Sequence, residues 1–189
     1  MYTTMIWTWI LFGVTPNYEM DGRPNEPFWQ NSATFTIAIE TFPAENTSSD
    51  LTAKVALRSD GEHLYLFFWV NESQPESIRA LFRSRDSISA DDQVGVIIDP
   101  FRRGERGYGF FVNALGCQLD YIQDDLQNSE DSSWDAVWSA KTRMTESGFQ
   151  VEMVIPLNQM RLPQNSGEQT WGFDFVRIRP RDQRTVLRH

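Results

Sequence analysis

The sequence predicts an all-β protein, an antiparallel β-sandwich of about eight or more strands with little helix. Three observations carry that prediction. Apolar residues recur at every second position along several short segments. Gly, Pro, Asn and Asp punctuate the chain at short intervals, and no stretch carries the 3.6-residue period of a long amphipathic helix. The 189 residues fit one domain, and no internal repeat or linker composition divides them.

The elements follow in order. Leu51, Ala53, Val55 and Leu57 alternate with Thr52, Lys54 and Arg58, the pattern of a half-buried strand. Asp60-Gly61 is a hairpin turn, and the return arm Leu64 to Val70, LYLFFWV, is apolar on both faces, as a central strand must be. Residues 72–90 are polar, with one helical turn expected in PESIRALF. Val94, Val96 and Ile98 alternate in QVGVIID, a second central strand that ends at Pro100 and the loop Arg102 to Gly107. YGFFVN (108–113), the turn Ala114-Leu115-Gly116 and CQLDYIQ (117–123) complete a three-stranded meander. Asp124 to Asp135 reads as an acidic loop without regular structure. A further hairpin has arms VWSAKTRMT and FQVEMVI around Glu146-Ser147-Gly148. Phe149, Val151, Met153 and Ile155 share one face of its second arm, and Pro156 stops it. Residues 157–162 suit one helical turn, and 170–179 the last strand.

Met5 to Val14, MIWTWILFGV, is an apolar run of ten residues, too short to cross a bilayer as a helix. It reads either as a signal remnant, although no Lys or Arg precedes it and no small-residue cleavage site follows, or as an edge strand. Residues 1–14 are therefore set apart from a sandwich of residues 15–189.

Composition excludes several function classes. A net charge of −9 argues against non-specific nucleic-acid binding, which needs a positive face. HExxH and CxxC are absent, only His63 and His189 could serve as imidazole ligands, and RRGERGYG lacks the helix that a phosphate-cradling loop requires. Its arginines Arg102, Arg103 and Arg106 read as a solvated tip. Cys117 is the one cysteine and reads as a small core hydrophobe. Arg outnumbers Lys by 15 to 2, which favours bidentate structural ion pairs. No pair of carboxylates is set across a cleft by the sequence, so glycoside hydrolysis is not expected.

Two candidate sites remain. Trp134 lies in the acidic loop between Asp131 and Asp135, where an indole face could stack a sugar and the carboxylates accept its hydroxyls; the competing reading makes Trp134 a cap on the sandwich. Trp29, Trp69, Trp138 and Trp171 read as core. Asp124, Asp125, Glu130 and Asp131 crowd the same loop as candidate calcium ligands, against the competing reading of a solvated acidic loop, and Asp91, Asp92 and Asp99 bracket one strand.

Six segments in register carry a resemblance: MDGRPNEPFW (20–29), SDGEHLYLFFWV (59–70), SADDQVGVIID (89–99), GYGFFVNALGCQLD (107–120), Ser132 to Leu162, and WGFDFVRIRPR (171–181). In order and spacing they resemble carbohydrate-binding module family nine, in the branch found at the N-terminus of large bacterial outer-membrane-associated proteins. The resemblance covers about residues 17–189. It implies a DOMON-like jelly-roll sandwich, a non-catalytic accessory role, a polysaccharide or oligosaccharide ligand, calcium, and export to the periplasm, outer membrane or medium. In the family two tryptophans sandwich a terminal sugar. Register places the first at Ser89, an acidic ligand at Gly95, a basic ligand at Phe111 and the second tryptophan beyond His189, so a degenerate sugar site is expected. One alternative is a structural or interaction domain preceding an outer-membrane β-barrel, consistent with a fragment ending in the segment of Arg177, Arg179, Arg181, Arg184 and Arg188. Another is a haem-binding DOMON-like domain using His63 or His189 with Met144, Met153 or Met160, and haem is not expected.

Overall fold

Strands supply nearly all the regular structure. The computed structural model describes residues 3–4, 18–164, 168–181 and 184–189. The apolar run Met5 to Val14, read as a signal remnant or edge strand, lies outside the described residues. The strands are β1 (Thr3–Thr4), β2 (Ala33–Phe42), β3 (Thr47–Ser59), β4 (His63–Asn71), β5 (Gln93–Asp99), β6 (Arg106–Asn113), β7 (Gln118–Asp124), β8 (Ser129–Asp131), β9 (Ser139–Thr145), β10 (Gly148–Pro156), β11 (Gly172–Arg179) and β12 (Thr185–Arg188). Helical structure among the described residues is confined to three short 3-10 turns, Pro27–Trp29, Pro75–Ser77 and Leu157–Gln159. The last two fall inside the segments expected to hold helical turns.

All the pairings are antiparallel, and one hydrogen-bonded path runs β8-β7-β6-β5-β11-β12-β2-β3-β4-β10-β9, with β1 added on β11. The path doubles back on itself into two layers. Val94, Val96 and Ile98 of β5, Phe110 and Val112 of β6 and Phe175 of β11 share one core with Val55 and Leu57 of β3, Leu66 and Phe68 of β4, and Val151 and Met153 of β10. The second-arm stripe Phe149, Val151, Met153 and Ile155 is wholly buried there. Strands β4 and β5, expected to be central, are interior to their layers.

Both layers are also covered on their outer faces, which is why LYLFFWV and QVGVIID carry apolar residues on both sides. Residues 18–30 lie over β3, β4 and β10, where Tyr18, Phe28 and Trp29 pack on Ala56, Tyr65 and Phe67. Ile88, from the segment before β5, packs over Ile97, Phe111, Tyr121 and Val176. The turns follow their residues. Asp60 Oδ1 accepts the Glu62 and His63 N–H groups across the β3–β4 hairpin. Gly148 opens β10 at φ +144°, and a Cβ there would sit 2.0 Å from the Val70 carbonyl oxygen, so only glycine fits.

The structure differs from the sequence expectations in four places. Strand β2 is unanticipated although Phe35, Ile37 and Ile39 alternate; its register shifts between Ile37 and Ile39, so that Ile37 is buried and Ile39 exposed. Strand β12 is short and arginine-flanked, and pairing with β11 and β2 rather than composition makes it a strand. The loop 124–135 is not structureless, since Ser129–Asp131 pairs with β7. Cys117 lies in the turn before β7, half-buried, with its Sγ accepting the Arg83 N–H at 3.2 Å.

The arginine-rich C-terminal segment is used inside the molecule. Arg177 of β11 is 1% exposed; its Nη1 donates to the carbonyls of Thr52 and Asn71, both at 2.9 Å, and its Nη2 lies 3.1 Å from Glu72. Arg179 and Arg181 meet the same Glu72 carboxylate, and Arg181 also pairs with Asp92 at 3.1 Å. One guanidinium on β11 thus ties its layer to β3 and to the end of β4. Burial pulls the Arg177 pKa down to about 10. Burial alone would raise Glu72, but Arg181, the Gln74 N–H and Arg177 outweigh it and hold the carboxyl below its ordinary range.

Candidate functional site

The positions that the resemblance assigns to sugar ligands come first. Gly95 and Phe111 are register partners on β5 and β6, so side chains at these two positions stand side by side. In this chain the space is filled. A Cβ on Gly95 would lie 2.4 Å from the Phe111 ring and 2.5 Å from the Phe110 carbonyl oxygen. Phe111 is 2% exposed and stacks on Tyr121 with centroids 5.7 Å apart, and Tyr121 in turn covers Gly109. Ile88, fully buried, seals this apolar plug, while Ser89 beside it is exposed.

Trp134 lies elsewhere, at the end of the sandwich where β5 finishes and β6 begins. Its indole is half-buried against Tyr108, with centroids 5.1 Å apart, and Phe110, at 5.7 Å. It therefore caps the core, and it also forms a wall of a cleft of about 420 Å³. The other walls are Arg106 and Tyr108 of β6, Ile122 of β7 and residues Asn158 to Arg161. A second hollow of about 290 Å³ adjoins it, sharing Arg106, Tyr108 and Arg161 and adding Phe101, Arg103, Glu105 and Leu126 among others.

Local structure holds these groups in place. Arg106 and Tyr108 are two apart on β6 and so share a face. The Tyr108 hydroxyl accepts the Arg161 backbone N–H at 3.1 Å, anchoring the segment that carries Arg161. The Val137 N–H donates to Gln159 Oε1 at 2.8 Å, and Gln159 Nε2 donates to Asn158 Oδ1. The Trp134 loop is pinned from below by the Ala136 N–H on Asp120 Oδ2. Arg106 pairs with Asp124 at 3.2 Å, whereas the exposed Arg161 guanidinium meets no carboxylate among the described residues.

The carboxylates predicted from the sequence are dispersed. Asp131 accepts both the N–H and the hydroxyl of Ser133, which hold its carboxyl below the usual range. Asp124 accepts the Gln127 N–H and faces Arg106, Asp125 takes the Gln123 amide, and Glu130 sits exposed on β8. Asp91 and Asp92 are engaged by Arg83 and Arg181, and Asp99 accepts the Phe101 and Gly104 N–H groups. Among the described residues the carboxylates close enough to share a cation are instead Asp86, Asp120 and Asp135. Arg85 already enters that group, 2.5 Å from Asp120 and 3.3 Å from Asp135, with further bonds to Gln118 and the Ala136 carbonyl. Burial raises the Asp120 carboxyl above its ordinary value.

Of the predicted site residues, Trp134 reaches the larger cleft and Asp124 lines the adjoining hollow. Arg106, read as a solvated tip, and Tyr108, read as strand interior, join Trp134 only through folding. Arg161, Asn158 and Gln159 carry no signal in the sequence, since a short polar segment after a strand is ordinary.

Comparison with known proteins agrees with this architecture. A crystal structure of a Bacteroides uniformis protein, provisionally described as carbohydrate-binding, superposes with a TM-score of 0.63 at 14% identity, covering 83% of this chain and 76% of that one. At that identity the likeness is one of fold. Against curated proteins the sequence finds no match. A family model described as carbohydrate family 9 binding domain-like matches residues 20–186, nearly the whole chain, and the protein belongs to that family.

Proposed function

We propose that this domain is a non-catalytic carbohydrate-binding module whose sugar site is the Trp134 cleft rather than the position used by sugar-binding members of its family. The observation that carries the reading is the Phe111 ring lying over Gly95, which leaves no room for a ligand or for the polar side chains that would hold one. The cleft supplies what a pyranose needs. An aromatic face stacks its C–H edges, amides and guanidinium groups meet its hydroxyls, and the volume of about 420 Å³ suits one or two sugar rings. Nothing in the cleft sets two carboxylates across a scissile bond, and binding alone accounts for its groups.

A shallow site with one stacking face and exposed polar groups binds weakly. Neutral mono- and disaccharides are expected at about millimolar Kd, or roughly −4 kcal/mol. Titrating glucose, cellobiose and xylobiose while following tryptophan fluorescence tests this. Saturable millimolar binding that Trp134→Ala abolishes supports the reading. Saturation that survives Trp134→Ala, or micromolar affinity lost on substitution near Phe111, returns the site to the family position.

A further inference from the structure

Resting on that reading, we propose that the sugar held at the Trp134 cleft is acidic: a uronic-acid unit whose carboxylate is taken by Arg161 and Arg106 while its ring stacks on Trp134.

The charge pattern points there. The chain as a whole carries −9, so a neutral or acidic cleft would be the default. The walls of the Trp134 cleft hold two arginines and no carboxylate. Of those arginines, Arg161 is exposed and meets no carboxylate among the described residues. The other well-formed arginine sites of this molecule are occupied: Arg83 by Asp91, Arg85 by Asp120, Arg177 and Arg181 by Glu72, and Arg188 by Asp174. Other arginines, Arg79 and Arg143 among them, likewise meet no carboxylate among the described residues, and what sets Arg161 apart is its place on a cleft wall with Trp134. Arg106 is half-committed, since Asp124 takes one of its nitrogens, and Asp124 also accepts the Gln127 N–H. The planar fork of Arg matches a carboxylate in bidentate geometry, which a neutral sugar cannot use.

The adjoining hollow extends the same chemistry. It shares Arg106 and Arg161 and adds Arg103, which lies 6.0 Å over the Phe101 ring. Of its three acids, Asp99 is buried with both oxygens accepting backbone N–H groups and Asp124 is taken up by Arg106 and the Gln127 N–H, which leaves Glu105 as the acid opposing an anionic ligand. A chain of two or more uronate units could therefore run from Trp134 past Tyr108 toward Phe101.

The test compares digalacturonate with galactobiose, its neutral counterpart, by calorimetry and tryptophan fluorescence on the intact chain. One charged hydrogen-bonded contact is worth about ten- to hundredfold, so digalacturonate should bind at least about tenfold tighter at low salt. That preference should shrink as ionic strength rises. Arg161→Gln should remove most of that preference, read as the ratio of the two affinities, while leaving the melting temperature unchanged, because the exposed side chain makes no ion pair among the described residues. Equal affinity for the two sugars, or a preference that survives both Arg161→Gln and Arg106→Gln, overturns the acidic-ligand proposal. Galactobiose binding that Trp134→Ala removes, without acid preference, overturns it and keeps the site. Failure of both sugars to bind overturns the site as well.

Discussion

Glu152 offers the sharpest prediction. It lies on the outer face of β10, fully buried beneath residues 18–29, with Oε2 accepting the Gly22 N–H at 2.8 Å. Around it stand Tyr18, Asp21 and Glu26 from the covering segment, Phe67 on β4 and the exposed Lys141 on β9. Burial is the largest cause that pushes its pKa up to about 7, from 4.5, with the Gly22 N–H and the Tyr18 hydroxyl opposing and Glu26 and Asp21 adding to it. The sign follows. The folded state holds this proton more tightly than the unfolded chain, so stability is full below about pH 4.5, falls as pH rises toward about 7, and is flat above. At 1.36 kcal/mol per unit, a shift of 2.5 units costs about 3 kcal/mol once the group is ionised. Glu152→Gln keeps an oxygen for the Gly22 N–H and abolishes the ionisation. The variant should match the wild type near pH 4 and exceed it by about 3 kcal/mol at pH 8, roughly 6 to 12 °C in melting temperature for a chain of this size. Urea unfolding at both pH values is the assay. Because Asp92, Asp120 and Asp174 also titrate upward through burial, the quantity to read is the difference between variant and wild type. A difference identical at pH 4 and pH 8 would refute the reasoning.

Three other outcomes are expected. Gly95→Ala should lose about 2 kcal/mol or more in chemical denaturation, since its Cβ meets the Phe110 backbone as well as the Phe111 ring; a neutral effect would show that the plug is loose. Arg177→Met should cost about 3 kcal/mol by leaving Glu72 short of a buried partner, and adding Glu72→Gln should recover part of that loss in a double-mutant cycle; simple additivity would contradict the coupling. The melting temperature should be the same in millimolar calcium and in chelator, because Arg85 already occupies the Asp86–Asp120–Asp135 group; a calcium-dependent rise, lost in Asp120→Asn, would mean that the ion displaces the guanidinium.

The sandwich was legible because its information is local and periodic. Alternation in β3, β5 and β10 encodes which face is buried, and Asp60-Gly61 and Ser147-Gly148 encode turns through backbone conformations few other residues tolerate. The apolar double faces of β4 and β5 even required covering segments on both outer surfaces. The departures have equally local causes. A bulge in β2 turns Ile39 out to solvent despite its place in the alternation, and β8 and β12 are so short that their neighbours make them strands.

What the sequence alone determined, then, is the fold class and the two central strands; that Ser89, Gly95 and Phe111 stand where the family places sugar ligands is what the resemblance implies. Only the tertiary structure decided what Gly95 and Phe111 do together, because a glycine and a phenylalanine sixteen positions apart become a filled space only once β5 and β6 pair. The same holds for charge. Fifteen arginines look alike in a linear chain. Packing assigns Arg177 and Arg181 to a buried network and leaves Arg161 at a cleft beside Trp134, since a guanidinium's role depends on which carboxylates reach it through space.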